Sequence, residues 1–511
     1  MWLIGPCALA IATLSSCAPS SGEMPGGTGG AAPGASSGGK AGQGGGSGGR
    51  GGSGGAAGSG GSSGAGTGGG AGAAASGGAM TEPPEVDANG DPAPGDAGAG
   101  AGGADAGPPP SGTDEPAACL HMVDVNGAAA LGPALAAAKP GDCLMVADGA
   151  YGALNITAKG TAEAPIQVRA VNLLKATVAG LQFTGAEHVV VRGFAVSTIL
   201  FVNSNYCRVT RCQVKGPGSG YWVRIEEQKG CMSGACTDTP PGTSKFARVD
   251  HCDIGGGSSS SDIFNPTAFS TGTRIDHNYI HDASGPHLMT LGCCGPKYDY
   301  FESGTIIENN LFVNANGTSA EMISIKGANV HFRYNTIRKH NGDIDIRAGK
   351  NNSIYGNYIL GPGPGIRMYE DNHKIYNNYV VGGLSGNQSG PIHAPVKNAT
   401  VVFNTFTGGI ALAGGANNVS ANNLLLGGGG GGMGNLGGAA DALGLVKMGD
   451  IFVITATSKA VGAAVGSYPF VMDDIAGHPR GAKLDVGAQQ FSDAPALRQV
   501  LTTADVGPMA P

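Results

Sequence analysis

Beyond its first seventeen residues, this 511-residue chain has no apolar run approaching the roughly 18 to 20 residues that a bilayer-spanning helix needs, so membrane attachment is confined to that end. It also lacks a positive charge excess: the formal net charge is −7, which argues against a nucleic-acid partner. Glycine is abundant, 94 of 511 residues, yet no strict G-X-Y period exists, which excludes a collagen-like chain. From Ala18 to about Ala117 aliphatic and aromatic residues are almost missing, and Gly, Ser, Ala and Pro take their place. Such a segment cannot bury enough surface to fold and is expected to be a disordered tether. With an end-to-end distance of about 5–6 Å times the square root of its length, it would reach on the order of 50–60 Å. One domain remains, 118–511, long for a single globular core but ordinary for a solenoid.

The beginning of the chain, MWLIGPCALAIATLSSC (1–17), is apolar and ends in LSSC, which resembles a bacterial lipobox with Cys17 as the lipidated residue. The basic segment that usually opens a signal peptide is missing. The expectation is a lipoprotein signal peptide over 1–17 and an address in the cell envelope, either as an outer-membrane lipoprotein or outside the cell. An ordinary cleaved secretory signal would change only that address. Nine cysteines remain after Cys7 and Cys17, in keeping with an oxidising compartment. Cys231 and Cys236 could close a small loop, and Cys119 and Cys143 could staple an N-terminal cap to the first coil. Cys212 and Cys252 could stack as thiols or bond across coils, and the adjacent Cys293 and Cys294 have no assigned role. No clean tetrahedral Cys/His set for zinc emerges.

Within 118–511 a framework of aliphatic, polar, Asn or Cys, then aliphatic recurs, as in RVDHCDI, IIENNLF, HFRYNTI and KIYNNYV. Its phased positions are Cys212, Cys252, Asn278, Asn310, Asn335, Asn357, Asn378, Asn404 and Asn423, spaced by 19 to 40 residues. A unit of strands and turns that repeats at this period cannot bury its apolar face alone, so neighbouring units must stack. Asn suits the internal turn because it tolerates left-handed backbone and its amide can bond its own coil and the next. The reading is all-β, a right-handed parallel β-helix with an internal asparagine ladder. A β-sandwich is disfavoured because sandwiches do not repeat their motif. The widest interval, 215–247, is expected to form a wall beside a groove.

Three shorter segments, EMISIKG (321–327), DIDIRAG (343–349) and PGIRMYE (364–370), alternate Ile or Met with polar residues. Period two buries one face and exposes the other. Lys326, Arg347 and Arg367, 21 and then 20 residues apart, are read as a column of cations on the exposed face. Across 321–380 eight Lys or Arg stand against five acids, a basic strip suited to a polyanionic glycan.

EMISIKG, the following IRAG and GIRMYEDNHKIYNNY resemble the core of polysaccharide lyase family 6, the β-helical alginate lyases and chondroitinase B. ALAAAKPGDCLMVADGAYG (134–152) and GTAEAPIQVRA (160–170) are similar to that family's first coils, and DVGAQQF (485–491) to its closing strand, so the likeness spans about 118–495. The resemblance implies β-elimination at a uronate in an anionic polysaccharide, with Lys326 as general base and Arg347 as the acid or charge stabiliser. A lysine at its ordinary pKa of about 10.4 is a poor base near neutrality, and an adjacent Arg347 would lower it. Arg367 and His373 fall in the implied substrate-binding strand, where Arg367 could clasp a carboxylate in a bidentate pair.

Calcium-dependent members of the family carry an ExE pair, whose second Glu corresponds to Glu321, whereas the first position is Ser319 here. A further ligand position falls near Ser284. Two readings stand: a low-affinity calcium site on Glu321, or a metal-free enzyme in which Arg347, Arg367 or a histidine does the neutralising. Many members read Arg-His-Gly where this chain has Arg347-Ala348-Gly349. The expected function is a monomeric lyase acting on alginate. The alternatives are a dermatan or chondroitin sulfate lyase, a mannuronan C5-epimerase, which begins with the same proton abstraction, and a non-catalytic glycan-binding β-helix.

Overall fold

The computed structural model describes residues 116, 118–226, 244–267, 270–292, 302–361, 363, 365–386, 394–412, 415–428 and 431–511. The leader with Cys17, the tether, Cys231, Cys236, Cys293, Cys294 and most of the 215–247 insertion lie outside them.

Three long parallel sheets of 13, 13 and 11 strands run side by side, and consecutive coils contribute one strand to each. One turn of the coil passes through Ile306–Glu308, Leu311–Gly317 and Glu321–Ile325, and the next through His331–Arg333, Thr336–Arg338 and Asp343–Ile346. These three positions are called here the first, second and third sheets. The fold is a parallel β-helix, as the repeat implied, and crossovers between parallel strands wind right-handed. The alternation read from the sequence holds on the third sheet. Ile323, Ile325, Ile344, Ile346, Ile366 and Met368 are all 2 % exposed or less and enter the common core. Burying each contributes about 1.5–3 kcal/mol relative to exposure.

The ladder lies at the turn between the first and second sheets. Asn310 Nδ2 donates to Asn335 Oδ1 (3.0 Å), Asn335 to Asn357 (3.1 Å), Asn357 to Asn378 (2.9 Å), Asn378 to Asn404 (2.9 Å) and Asn404 to Asn423 (3.0 Å). Each backbone N–H in the row also donates to the next Asn, for example Asn335 N to Asn357 Oδ1 at 2.9 Å. Asn423 passes the file on to Asn435, one rung beyond the expected set. At the other end Cys212 and Cys252 occupy the same rungs as buried free thiols, and Cys212 N–H points to Cys252 Sγ at 3.4 Å. One detail differs from the sequence reading. The left-handed residue is the one before each ladder position, such as Asn309 (φ 52°), Tyr334 (φ 57°) and Asn377 (φ 53°). The ladder amide is therefore freed to bond along the axis, and its neighbour makes the corner.

At the N-terminal end, Ala128–Ala137 forms a helix whose Leu131 and Leu135 enter the core, and Cys119 bonds to Cys143, the staple the sequence suggested. At the C-terminal end, Leu445–Met448 and Ile451–Ile454 form an antiparallel hairpin. DVGAQQF, expected as a closing strand, joins no sheet. It lies against the helix instead, with Gly487 N–H on Asn422 O and Ala488 N–H on Thr405 Oγ1. Farther on, Arg211 donates to the carbonyls of Pro508 (3.0 Å) and Ala510 (2.5 Å), and Gly507 N–H donates to His277 O.

Asn357 tests the ladder directly, because its amide donates to Phe332 O, Tyr355 O and Asn378 Oδ1 and accepts from Asn335. Asn357→Ala orphans several buried partners at about 1–3 kcal/mol each. A thermal melt should fall by several degrees relative to the parent, and an unchanged melt would show that the rung carries no stability.

Candidate active site

The third sheet presents the charged face. Ser324, Asp345 and Arg367 are cross-strand partners in three successive coils, followed by Ser385. The ladder continues past the strand ends, with Arg347 N–H on Ile325 O (2.8 Å) and Tyr369 N–H on Ile346 O (2.9 Å). Lys326, Arg347 and Tyr369 therefore form a second file on the same face. Lys326 and Arg347 share a register, as their spacing implied. Arg367 does not: it lies between the inward Ile366 and Met368 and belongs to the file of Ser324 and Asp345. The expected column of three cations is thus two cations and a tyrosine. The 21- and 20-residue intervals look equal, but the strand 365–368 meets its neighbour two positions later than that equality assumed.

Nor is the face a basic strip. Glu321, Asp343 and Asp345 alternate with Lys326, Arg347 and Arg367, and other cations of the 321–380 stretch point elsewhere, Arg333 to Glu308 and Arg338 to Asp450. Glu321, buried at the start of its strand, is the centre. Arg347 Nη1 makes a short ion pair with its Oε1, Arg367 Nη2 lies 3.7 Å from the same oxygen, and His287 Nε2 is 3.5 Å from Oε2. Burial alone would raise the Glu321 pKa, but the Ser324 hydroxyl and the charges of Arg347, His287 and Lys326 outweigh it and hold the group below the usual carboxylate range. Arg367 is also held by Asp343 (3.1 Å) and Asp345 (3.0 Å). Burial and repulsion from Glu321 push Asp345 from an ordinary 3.8 up to about 7, against the pull of Arg367.

Glycines permit the tight backbone here. Within one coil a Cβ on Gly317 would lie 2.0 Å from the Glu321 carbonyl oxygen, and between coils Gly349, at φ 81°, would put one 2.2 Å from Gly327 O.

His373 requires correction. Expected in the substrate-binding strand, it is 0 % exposed, donates from Nε2 to Tyr369 O (2.6 Å) and accepts at Nδ1 from Asn352 N–H (3.3 Å). Burial pushes its pKa down to about 4. It is a neutral brace behind Tyr369, with no path to a ligand on the outer face.

A calcium ion takes six to eight oxygens, and the residues at the implied site do not fit one. Glu321 Oε1 faces the Arg347 guanidinium and Oε2 the His287 ring, the Ser319 hydroxyl donates to Pro286 O at 2.6 Å, and Ser284 sits in a second-sheet strand. Among the described residues no cluster of three or more His, Cys, Asp or Glu is arranged to hold a metal.

Sequence reasoning missed Asp345, Tyr369, His287 and Asp262. The first two carried a signal: DIDI and IRMY place them outward by the same alternation that found the cations. His287 and Asp262 gave none, because their meeting depends on the offset between coils.

Comparison with known proteins agrees with this architecture. The family model described as Chondroitinase B matches residues 125–399, more than half of the chain. Among solved structures, the polysaccharide lyase family 6 protein Pedsa3628 from Pseudopedobacter saltans superposes with a TM-score of 0.51 at 20% identity, covering 76% of this chain and 99% of its own. The family 6 alginate lyase AlyGC gives a TM-score of 0.50 at 23% identity over 59% of this chain, which spans 47% of the AlyGC length. A mutant of AlyGC gives 0.53 at 19% identity, covering 73% and 59% of the two chains. A search of the curated proteins found no match. The chain belongs to the chondroitinase B family of polysaccharide lyases, polysaccharide lyase family 6.

The raised Asp345 makes stability depend on pH with a defined sign. Its carboxyl holds a proton more tightly folded than unfolded, so its contribution is intact below about pH 4 and is lost as pH rises through about 7. Melting curves between pH 4 and 8 should show Asp345→Asn gaining on the parent as pH rises and converging with it at the acid end. Parallel curves would place the carboxyl in the ordinary range.

Proposed function

We propose that this protein cleaves a uronate-containing polysaccharide by β-elimination, with alginate as the preferred polymer. The observation that carries the reading is the shared register of Lys326 and Arg347 on the outer side of the third sheet, with Arg347 paired to the buried Glu321. A uronate C5 proton is weakly acidic while the neighbouring carboxylate is charged, so cations must first neutralise that carboxylate and the developing enolate. Arg347 supplies a guanidinium that hardly deprotonates and so stabilises charge rather than titrating. Lys326 removes the C5 proton, the C5 electron pair forms the C4–C5 double bond, and the C4–O4 bond breaks with its electrons on O4, which takes a proton as it leaves. Tyr369, next in the file after Arg347, carries a hydroxyl able to supply that proton. Alginate is chosen because AlyGC is named an alginate lyase. The family model is named for chondroitinase B, which keeps the sulfated uronate polymers as a second reading. We also carry forward lipidation at Cys17 and display outside the cytoplasm as part of this proposal, since the substrate is an extracellular polymer.

The unsaturated product absorbs in the ultraviolet, and neither an epimerase nor a binding protein makes it. The full chain incubated with alginate, dermatan sulfate, chondroitin sulfate and pectate should raise absorbance fastest with alginate. Lys326→Ala should lower the rate by about a thousandfold or more, in keeping with loss of a proton-transferring group, without lowering the melting temperature. Activity near the parent level would remove Lys326 from its role, and no absorbance change on any polymer would sink the lyase reading.

A further inference from the structure

Glu321 is approached from the preceding coil by a histidine that nothing in the repeat marks out. His287 lies opposite Glu321, and the offset between the coils is fixed by Leu288 N–H donating to Met322 O at 2.9 Å. Asp262, one coil farther back, braces it twice: its Oδ1 accepts from the His287 backbone N–H at 3.1 Å and faces Nδ1 at 3.0 Å. The other ring nitrogen, Nε2, faces Glu321 Oε2 at 3.5 Å. Asp262 and His287 are both largely buried, with 14 % and 19 % side-chain exposure, so their mutual geometry is set by packing rather than by solvent. Glu321 Oε1 meanwhile takes Arg347 and, at longer range, Arg367. One carboxylate is thus enclosed by an imidazole ring and two guanidinium groups drawn from three other coils. A divalent cation could bind Glu321 only by displacing them.

We propose that Asp262 and His287 form a positioning pair that fixes Glu321, and through it aims the Arg347 guanidinium at the substrate carboxylate, so that the reaction runs without a divalent metal. This rests on the lyase reading for its catalytic part and stands apart from it for the metal. His287 is a positioning residue, since it reaches the substrate through Glu321 and Arg347. Removing it leaves Glu321 free on one side and lets Arg347 shift, and misplacement on this scale costs about a hundredfold in rate.

The test uses the full chain stripped of metal with chelator and assayed by ultraviolet absorbance on alginate. Parent activity should stay within about twofold whether chelator or calcium chloride is present. His287→Ala should lose about a hundredfold, mainly in kcat, with calcium giving no recovery. His287→Lys, which places an ammonium beside Glu321, should regain part of the loss, and Asp262→Asn should fall between parent and His287→Ala. A role confined to stability would lower the melting temperature of His287→Ala without separating kcat from KM, and that pattern would overturn the proposal. So would loss of parent activity in chelator with recovery on adding calcium. Should no polymer be cleaved, the lyase reading fails on its own, and a calcium titration of the parent melting temperature decides the metal question. A rise that Glu321→Gln abolishes overturns the inference, and no rise supports it.

Discussion

The buried asparagine file is the constraint on which everything else depends. Each amide bonds its own coil and the next, so the axial offset between coils is set by hydrogen bonds in a dry core, where an unmade bond is costly. Because side chains alternate with period two, a slip of one residue would turn Ile344 and Ile346 outward and Asp343 and Asp345 inward. The ladder and the Ile stack thus fix the same register from two sides. Residues such as Lys326 and Arg347, a full coil apart along the chain, become neighbours as a consequence.

The charged face obeys a second rule, balance. Three acids and three bases interleave over the coils that hold Glu321, Asp345 and Arg367, and His287 adds a further partner from the coil before. Buried ions are tolerated only when paired and hydrogen-bonded. A polyanion docking here therefore meets cations already committed to carboxylates, and it must compete for them. Arg367 illustrates this, since Asp343 and Asp345 hold it before any ligand arrives.

Much of this was legible in the sequence, and the limits have a physical origin. Local periodicity gave the solenoid, all nine ladder rungs and the inward Ile and Met positions, because alternation and turn chemistry are encoded residue by residue. The shared file of Lys326 and Arg347 followed from equal spacing after the same Ile-x-Ile pattern. Arg367 escaped, because interval length measures the whole coil, loops included, whereas register is set by which Ile meets which. His373 looked like a binding residue from its place in a motif, yet the turn folds it beneath Tyr369. The Asp262–His287–Glu321 chain crosses three coils, and no local pattern encodes such a meeting.

The contact between Arg211 and the carbonyls of Pro508 and Ala510 closes a loop of 299 residues. During synthesis the coil bearing Arg211 emerges from the ribosome long before its acceptors exist. Those two bonds of its guanidinium can form only after nine further rungs, from Cys252 to Asn435, have been laid down and residues 508–510 have been made. The early coils are therefore finished last, and the segment made latest sets the moment at which the first part of the helix reaches its final state.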